Sequence, residues 1–341
     1  MQVVKCQPAA FCRIAELHTI KISAIWSSAL QRVRVTVNGG TLMRFTLPLL
    51  AVLSIAGAVR SADPRADKTG TLAQEYQKAL KESGQVRPNF REAKTDEERK
   101  KSVEATDQFV RRFVKLAEKY PNDPLALEVL TQAVRSMNSQ DSAVQMSWQT
   151  NKTAFPIRGK DYSTELAMAL LVRDHLRSEK LGVVCERMRY GTRKEYETFL
   201  HKVMKESPHK DVRGLACLSL AQFLYAHAVK LDLYAERPEL LERYEALLGK
   251  EYFDSLRRKG HHGLNKEVEA LLEQAGSKYV EVKLPFGGTV GEQAKIELFE
   301  MHHLAVGKEA EDIEARDQDG KPFKLSEYRG KVVLLYFWSE Y

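Results

Sequence analysis

Tyr120-Pro-Asn-Asp-Pro124 stands between two stretches that are each apolar at helical spacing. Pro121 cannot continue a helix, because its ring clashes with the preceding turn and it has no backbone donor. Asp123 is suited to cap the next helix, with Pro124 in the first turn. Upstream, Val103, Phe109, Val110, Phe113, Val114, Ala117 and Tyr120 recur mostly at three- and four-residue steps, and Thr95-Asp-Glu-Glu98 ahead of them has the form of a capping box. Downstream, Leu127, Leu130, Ala133 and Val134 carry the apolar stripe onward. The pattern predicts two helices, each with one buried face, joined by a proline turn.

The same grammar returns further along. Tyr196 to Met204 is striped, Ser207-Pro-His-Lys210 breaks it, and Asp211 opens a strongly apolar segment from Val212 to Val229 with Leu215, Leu218, Ala221, Leu224 and Tyr225 at helical steps. Such pairs resemble tetratricopeptide-type hairpins, but the 87-residue offset from Pro121 to Pro208 does not divide into a 34-residue period. A helical-repeat-like array without regular period is therefore expected. Further helices are expected at Tyr162 to Ser178, Pro238 to Leu248 with Gly249 placed to end it, Leu264 to Gln274, and Thr289 to His302. An array of this kind is a scaffold or a surface for a peptide or protein partner, and supplies no chemistry by itself.

The 341 residues have room for two ordinary domains, and 43% hydrophobic residues with only 11 Pro and 19 Gly are the composition of a folded chain. The formal charge of +7 is unevenly spread. Residues 1–42 carry Lys5, Arg13, Lys21, Arg32 and Arg34 against Glu16, and Arg44 and Arg60 follow, which leaves +1 for the other 279 residues. The basic character belongs to the N-terminus, and no nucleic-acid partner is expected. Met43-Arg44 opens a positive segment, Leu47 to Val59 is an uncharged apolar run, and Ala58, Ser61 and Ala62 are small. This is the three-part layout of a secretory signal, with cleavage after Ser61 favoured. At about 13 residues the run falls short of the ~20 needed for a stable membrane span. Residues 1–42 read as an upstream extension that is not native, 43–62 as a signal peptide, 63–304 as the helical array, and 305–341 as the start of a second domain. The expected location is exported, in the periplasm or cell envelope.

Two cysteines, Cys6 and Cys12, precede Met43, and two, Cys185 and Cys217, lie in apolar, helix-patterned surroundings. The 31-residue gap between the latter fits no metal motif, and they read as buried thiols, with a structural disulfide as the alternative in an oxidising compartment. His261 and His262 lie in the turn-like Lys259-Gly-His-His-Gly263, and His302 and His303 close a helix. Neighbouring histidines on a helix point in different directions, so solvated-loop and C-terminal capping roles are expected of both pairs rather than metal binding. Asn151-Lys-Thr153 matches a glycosylation acceptor, a short and common match.

The pattern changes after Val306-Gly307. Asp312 to Arg316 alternates weakly, Asp319-Gly320 is a hairpin-turn dipeptide, and Phe323-Lys-Leu325 is placed to return as a second strand. Ser326 is placed to cap the short turn Glu327-Tyr328-Arg329, which Gly330 closes. Lys331-Val-Val-Leu-Leu-Tyr-Phe-Trp338 then reads as a strand buried on both faces. Val306-Gly-Lys308, Asp319-Gly-Lys-Pro-Phe-Lys-Leu-Ser326, Tyr328-Arg-Gly-Lys331 and Val332 to Trp338 together resemble the opening of the bacterial redoxin family, which covers thioredoxin-like thiol-disulfide oxidoreductases and relatives of the thiol-specific antioxidant peroxidases. The helical region ahead also resembles the helical extensions of bacterial redoxin proteins. One departure is Glu309-Ala-Glu311, where the family usually carries Pro.

The resemblance implies a mainly α chain: an array followed by the first β elements of an incomplete thioredoxin-like α/β domain. It implies that the strand carrying Phe337 and Trp338 leads to the site. In the oxidoreductase branch the strand is followed by two residues, an aromatic, and Cys-x-x-Cys; Ser339, Glu340 and the aromatic Tyr341 fill the first three slots. The nucleophile is then expected immediately after Tyr341, and no catalytic residue lies within the chain. A recoded UGA codon for selenocysteine, an ordinary truncation and a genuine short protein remain open readings of that ending. No cofactor is implied. The expected partners are a protein dithiol or disulfide, or a peroxide.

Overall fold

The computed structural model describes residues 71–86, 95–150, 162–305, 308–316 and 319–334. The signal segment, Asn151 and the residues Phe337, Trp338 and Tyr341 lie outside them. The chain divides into a unit spanning Gly70–Glu311 and a second to which Asp312–Tyr341 belongs.

In the first unit, α1 (Leu72–Val86) packs on α2 (Asp96–Lys119), and α2 on α3 (Ala126–Thr150). The capping box at Thr95 is formed: its hydroxyl accepts from the Glu98 N–H, and the Glu98 carboxylate accepts from the Thr95 N–H. The turn at Pro121 ends α2, and the Asp123 carboxylate accepts from the Leu125 N–H at 2.9 Å just ahead of α3. Phe113, Leu130, Ala133 and Val134 are fully buried, so the stripes read from the sequence do form the interface.

After α4 (Tyr162–His175) and a short 3₁₀ turn come α5 (Gly182–Met188), α6 (Lys194–Glu206) and α7 (Lys210–Ala235). Helix α7 is apolar nearly all round and is covered by α5, α6, α8 (Pro238–Leu248) and α9 (Lys250–Lys278). Its 26 residues are long and apolar enough to cross a bilayer, but most of that stretch is buried inside the unit, as expected of a core helix. Helix α9 packs along α7 and then against α10 (Val290–Phe299), which continues into a π-type turn, Glu300–Leu304. A second capping box, Thr289 with Glu292, starts α10.

The break expected across Lys259–Gly263 is confined to Gly260, whose φ of +63° kinks α9 without ending it. Lacking a Cβ, glycine takes this left-handed conformation without penalty, and the hydrogen-bonded helix resumes on both sides. The half before the kink, Lys250 to Lys259, lengthens the helix beyond the expected Leu264 to Gln274; its stripe shows only Phe253 and Leu256, both buried.

The second unit contains β1 (Glu314–Arg316) and β2 (Pro322–Lys324), paired antiparallel with Ala315 opposite Phe323. The Leu325 N–H donates to the Ile313 carbonyl at 2.9 Å, and a 3₁₀ turn, Leu325–Tyr328, follows. Gly320 has φ +76° at the turn read from Asp319-Gly320, and Gly330 has φ +82° after the 3₁₀ turn. Two expectations need correction. Ser326 does not cap the turn with its side chain; it is itself the donor, its N–H and hydroxyl both giving to the Asp312 carboxylate at 2.8 Å. A carboxylate accepts more strongly than a hydroxyl, so Asp312 takes the role across fourteen residues. In the described part of the expected buried strand, Lys331 to Leu334, no strand forms, and Val332, Val333 and Leu334 are exposed. A central strand needs partners on both sides and cover on both faces, and the described residues of this unit supply one two-stranded hairpin.

The result is a mainly helical chain followed by two antiparallel strands, the fold class expected.

Candidate functional site

The C-terminal segment precedes the residues that the sequence reading associates with the site. Asp312, two residues ahead of β1, is tied to Ser326 in the 3₁₀ turn, Phe323 meets Tyr328 edge to face at 6.3 Å, and the Lys331 N–H donates to the Tyr328 carbonyl at 3.0 Å. The two Ser326 donors hold the Asp312 carboxyl below its ordinary range. Hairpin, turn and strand entry therefore form one hydrogen-bonded piece. This piece holds the chain as far as Lys331 and contains no cysteine.

Comparison with known proteins gives that piece its context. Residues 306–341 match the AhpC/TSA family. No curated protein and no solved structure matches the chain. The C-terminal piece is thus similar to the AhpC/TSA family, and its hairpin is consistent with an incomplete thioredoxin-like domain.

In the helical unit, the two cysteines are buried and unbridged. Cys217, on α7, donates its thiol to the Leu271 carbonyl of α9 at 3.3 Å, and burial pushes its pKa up to about 12. Burial pushes the Cys185 thiol higher still. A thiol is a nucleophile only as thiolate, so both are chemically quiet at neutral pH. The disulfide alternative is not realised.

The histidine pairs do not gather into a site, and three of the four rings lie beside three different carboxylates. His261 Nδ1 lies 2.5 Å from Asp232, His302 Nε2 lies 2.5 Å from Glu269, and His303 Nδ1 lies 2.8 Å from Glu311 while its ring stacks on Phe299. Among the described residues the fold gathers one set of three ligating side chains: Glu197 and His201, four residues apart on α6, with Glu267 from α9, their ligating atoms within 4.8 Å of one another. Lys259 already sits between the carboxylates, 2.8 Å from Glu267 and 3.5 Å from Glu197, and the Tyr252 hydroxyl donates to Glu197 at 2.5 Å. The arrangement is a carboxylate pair bridged by a lysine. Glu197 and His201 share a helix face at a spacing visible in the sequence; Glu267 joins them only through the packing of α9.

A buried polar knot lies elsewhere in the unit, with no local signal in the sequence. Arg193, at the N-cap of α6, forms a buried ion pair with Asp141 of α3 at 3.0 Å and donates to Gln140 at 3.0 Å and to Thr164 of α4 at 2.6 Å. Thr192 adds its hydroxyl to Asp141 at 2.9 Å. These groups are satisfied by one another and clamp three helices. Their role is structural.

Proposed function

We propose that this chain is the front part of an exported redoxin-type thiol enzyme, a peroxidase or disulfide oxidoreductase, whose nucleophile follows Tyr341. The match of residues 306–341 to the AhpC/TSA family carries the reading. The burial of Cys185 and Cys217 supports it, since neither thiol is placed to serve instead. At the expected position a cysteine or selenocysteine stands at a helix N-terminus, where free N–H groups and the helix dipole stabilise the anion. With a peroxide, the thiolate attacks one oxygen, the O–O bond breaks, sulfur is oxidised to sulfenate, and the alkoxide leaves to take a proton. With a disulfide, the thiolate forms a mixed disulfide and expels the other thiolate, and a resolving cysteine three positions on completes the exchange. The aromatic Tyr341 ahead of the nucleophile favours the oxidoreductase branch. Export rests on the Met43–Ala62 layout, and N-terminal sequencing from the native host tests it: mature protein starting at Ala62 agrees, and residues from before Met43 do not.

The catalytic reading is tested by assaying peroxide and insulin-disulfide reduction with the 341-residue chain and with the chain extended through its own downstream coding sequence. Activity in the extended protein alone is expected. Equal activity in both, or none in the extended and folded protein, overturns the proposal. The scaffold reading, a helical unit that holds a protein partner, is favoured by one specific feature, the basic groove described next.

A further inference from the structure

Along α2, Gln108, Arg111, Arg112, Lys115 and Lys119 fall at three- and four-residue steps and so share one face. With Glu75 from α1 and Leu116 beneath, they line an open groove of about 370 Å³. Arg111 pairs with Asp107 at 2.8 Å, Lys119 with Glu75 at 3.0 Å, and Arg112 with Glu82, all at the surface. Lys115 is exposed and makes no ion pair among the described residues. Surface pairs of this kind are weak and exchange readily for a better-placed anion.

We propose that this groove binds an extended acidic peptide with a carboxylate at every second residue. From Gln108 to Lys119 the helix rises about 16 Å, and cations four residues apart stand about 6 Å from one another along the axis. Alternate side chains on one side of an extended chain are about 7 Å apart, so three such carboxylates match the stripe from Arg111 to Lys119. Leu116, 6% exposed, gives the intervening aliphatic carbons an apolar floor. Single-stranded nucleic acid is the competing polyanion. It is disfavoured because none of the groove residues is aromatic, and such binders add stacking platforms to their basic grooves. The proposal concerns the helical unit and does not depend on the redoxin reading.

The test uses fluorescence anisotropy of the full chain with a labelled seven-residue peptide of alternating Glu and Ala, the same peptide with Lys for Glu, and an oligothymidine of equal charge. Salt-sensitive binding of the Glu peptide is expected. It should weaken tenfold or more in Arg111→Glu/Lys115→Glu and by a smaller factor in Lys115→Ala, with circular dichroism melting changed only slightly, because both side chains are exposed and the Arg111–Asp107 pair is a weak surface one. The variant Lys205→Glu/Lys266→Glu alters net charge equally at exposed sites outside the groove and should bind as the parent does. No binding of the Glu peptide, equal weakening in the two double variants, or tighter binding of the oligothymidine overturns the proposal.

Discussion

Arg193 and Asp141 are each 1% exposed in their side chains, which makes their pairing a matter of necessity once both are inside. Breaking such a pair leaves an uncompensated buried charge, at a cost of about 3–5 kcal/mol. Asp141→Asn should therefore lower the urea-unfolding free energy by that order, whereas Asp141→Leu/Arg193→Met should lose much less. Equal losses would mean that packing rather than the charge pair holds the clamp. His227 is the other residue with a large effect. It is buried among Phe223, Tyr244 and Tyr252, shares a 2.5 Å hydrogen bond with the Tyr244 hydroxyl, and burial lowers its pKa to about 3 with a smaller push from Lys230. The unfolded chain takes up this proton near pH 6.5 and the folded one does not, so the contribution is intact above about 6.5 and is lost as the pH falls toward 3. At about 1.4 kcal/mol per pH unit below the unfolded value, some 2 kcal/mol should go between pH 7 and 5. Burial raises the Glu297 carboxyl and works in the opposite direction, so the comparison with His227→Phe isolates the histidine. A variant with the same acid slope as the parent would contradict this account. None of these partnerships was legible in the sequence: Asp141 meets Arg193 across 52 residues, and His227 looks like any polar residue on a helix until Tyr244 is packed against it.

At the scale of elements, the sequence was most informative where the signal is local. Pro121, the Thr95 capping box, Pro238 at the start of α8 and Gly249 at its end act within one turn, and each marks a helix boundary that the structure has. It was least informative where a distant group competes. Asp312 takes the donors of Ser326, Gly260 kinks a helix that continues, and Val332 to Leu334 have the composition of a central strand without neighbours to make them one. The start of α10 offers an element-scale test. A Cβ on Gly291 would lie 2.8 Å from the Val280 Cα, and backbone cannot swing away as a flexible side chain would. Gly291→Ala should cost about 1–3 kcal/mol through overpacking, despite alanine's better helix propensity. Thermal melting checks this, and a variant as stable as the parent would show that the Tyr279–Val282 turn gives way.

For the whole molecule, two readings meet in one chain. The helical unit has a continuous core from Leu72 to Ala294 and quiet cysteines, and its charged groove gives it a surface for recognition. The C-terminal segment, similar to the AhpC/TSA family, has a hairpin and a turn, and the hairpin was legible because Asp319-Gly320 is a local pattern, whereas the strand read from Lys331 onward does not form over its described residues. The site is legible in the sequence only through the proposed function, which places its nucleophile after Tyr341. The central claim is that this position immediately follows Tyr341, and sequencing the messenger RNA past codon 341 tests it most directly. The account predicts a cysteine codon or UGA next, with the reading frame open beyond it. A UAA or UAG codon there, or a different amino acid at that position, would contradict it.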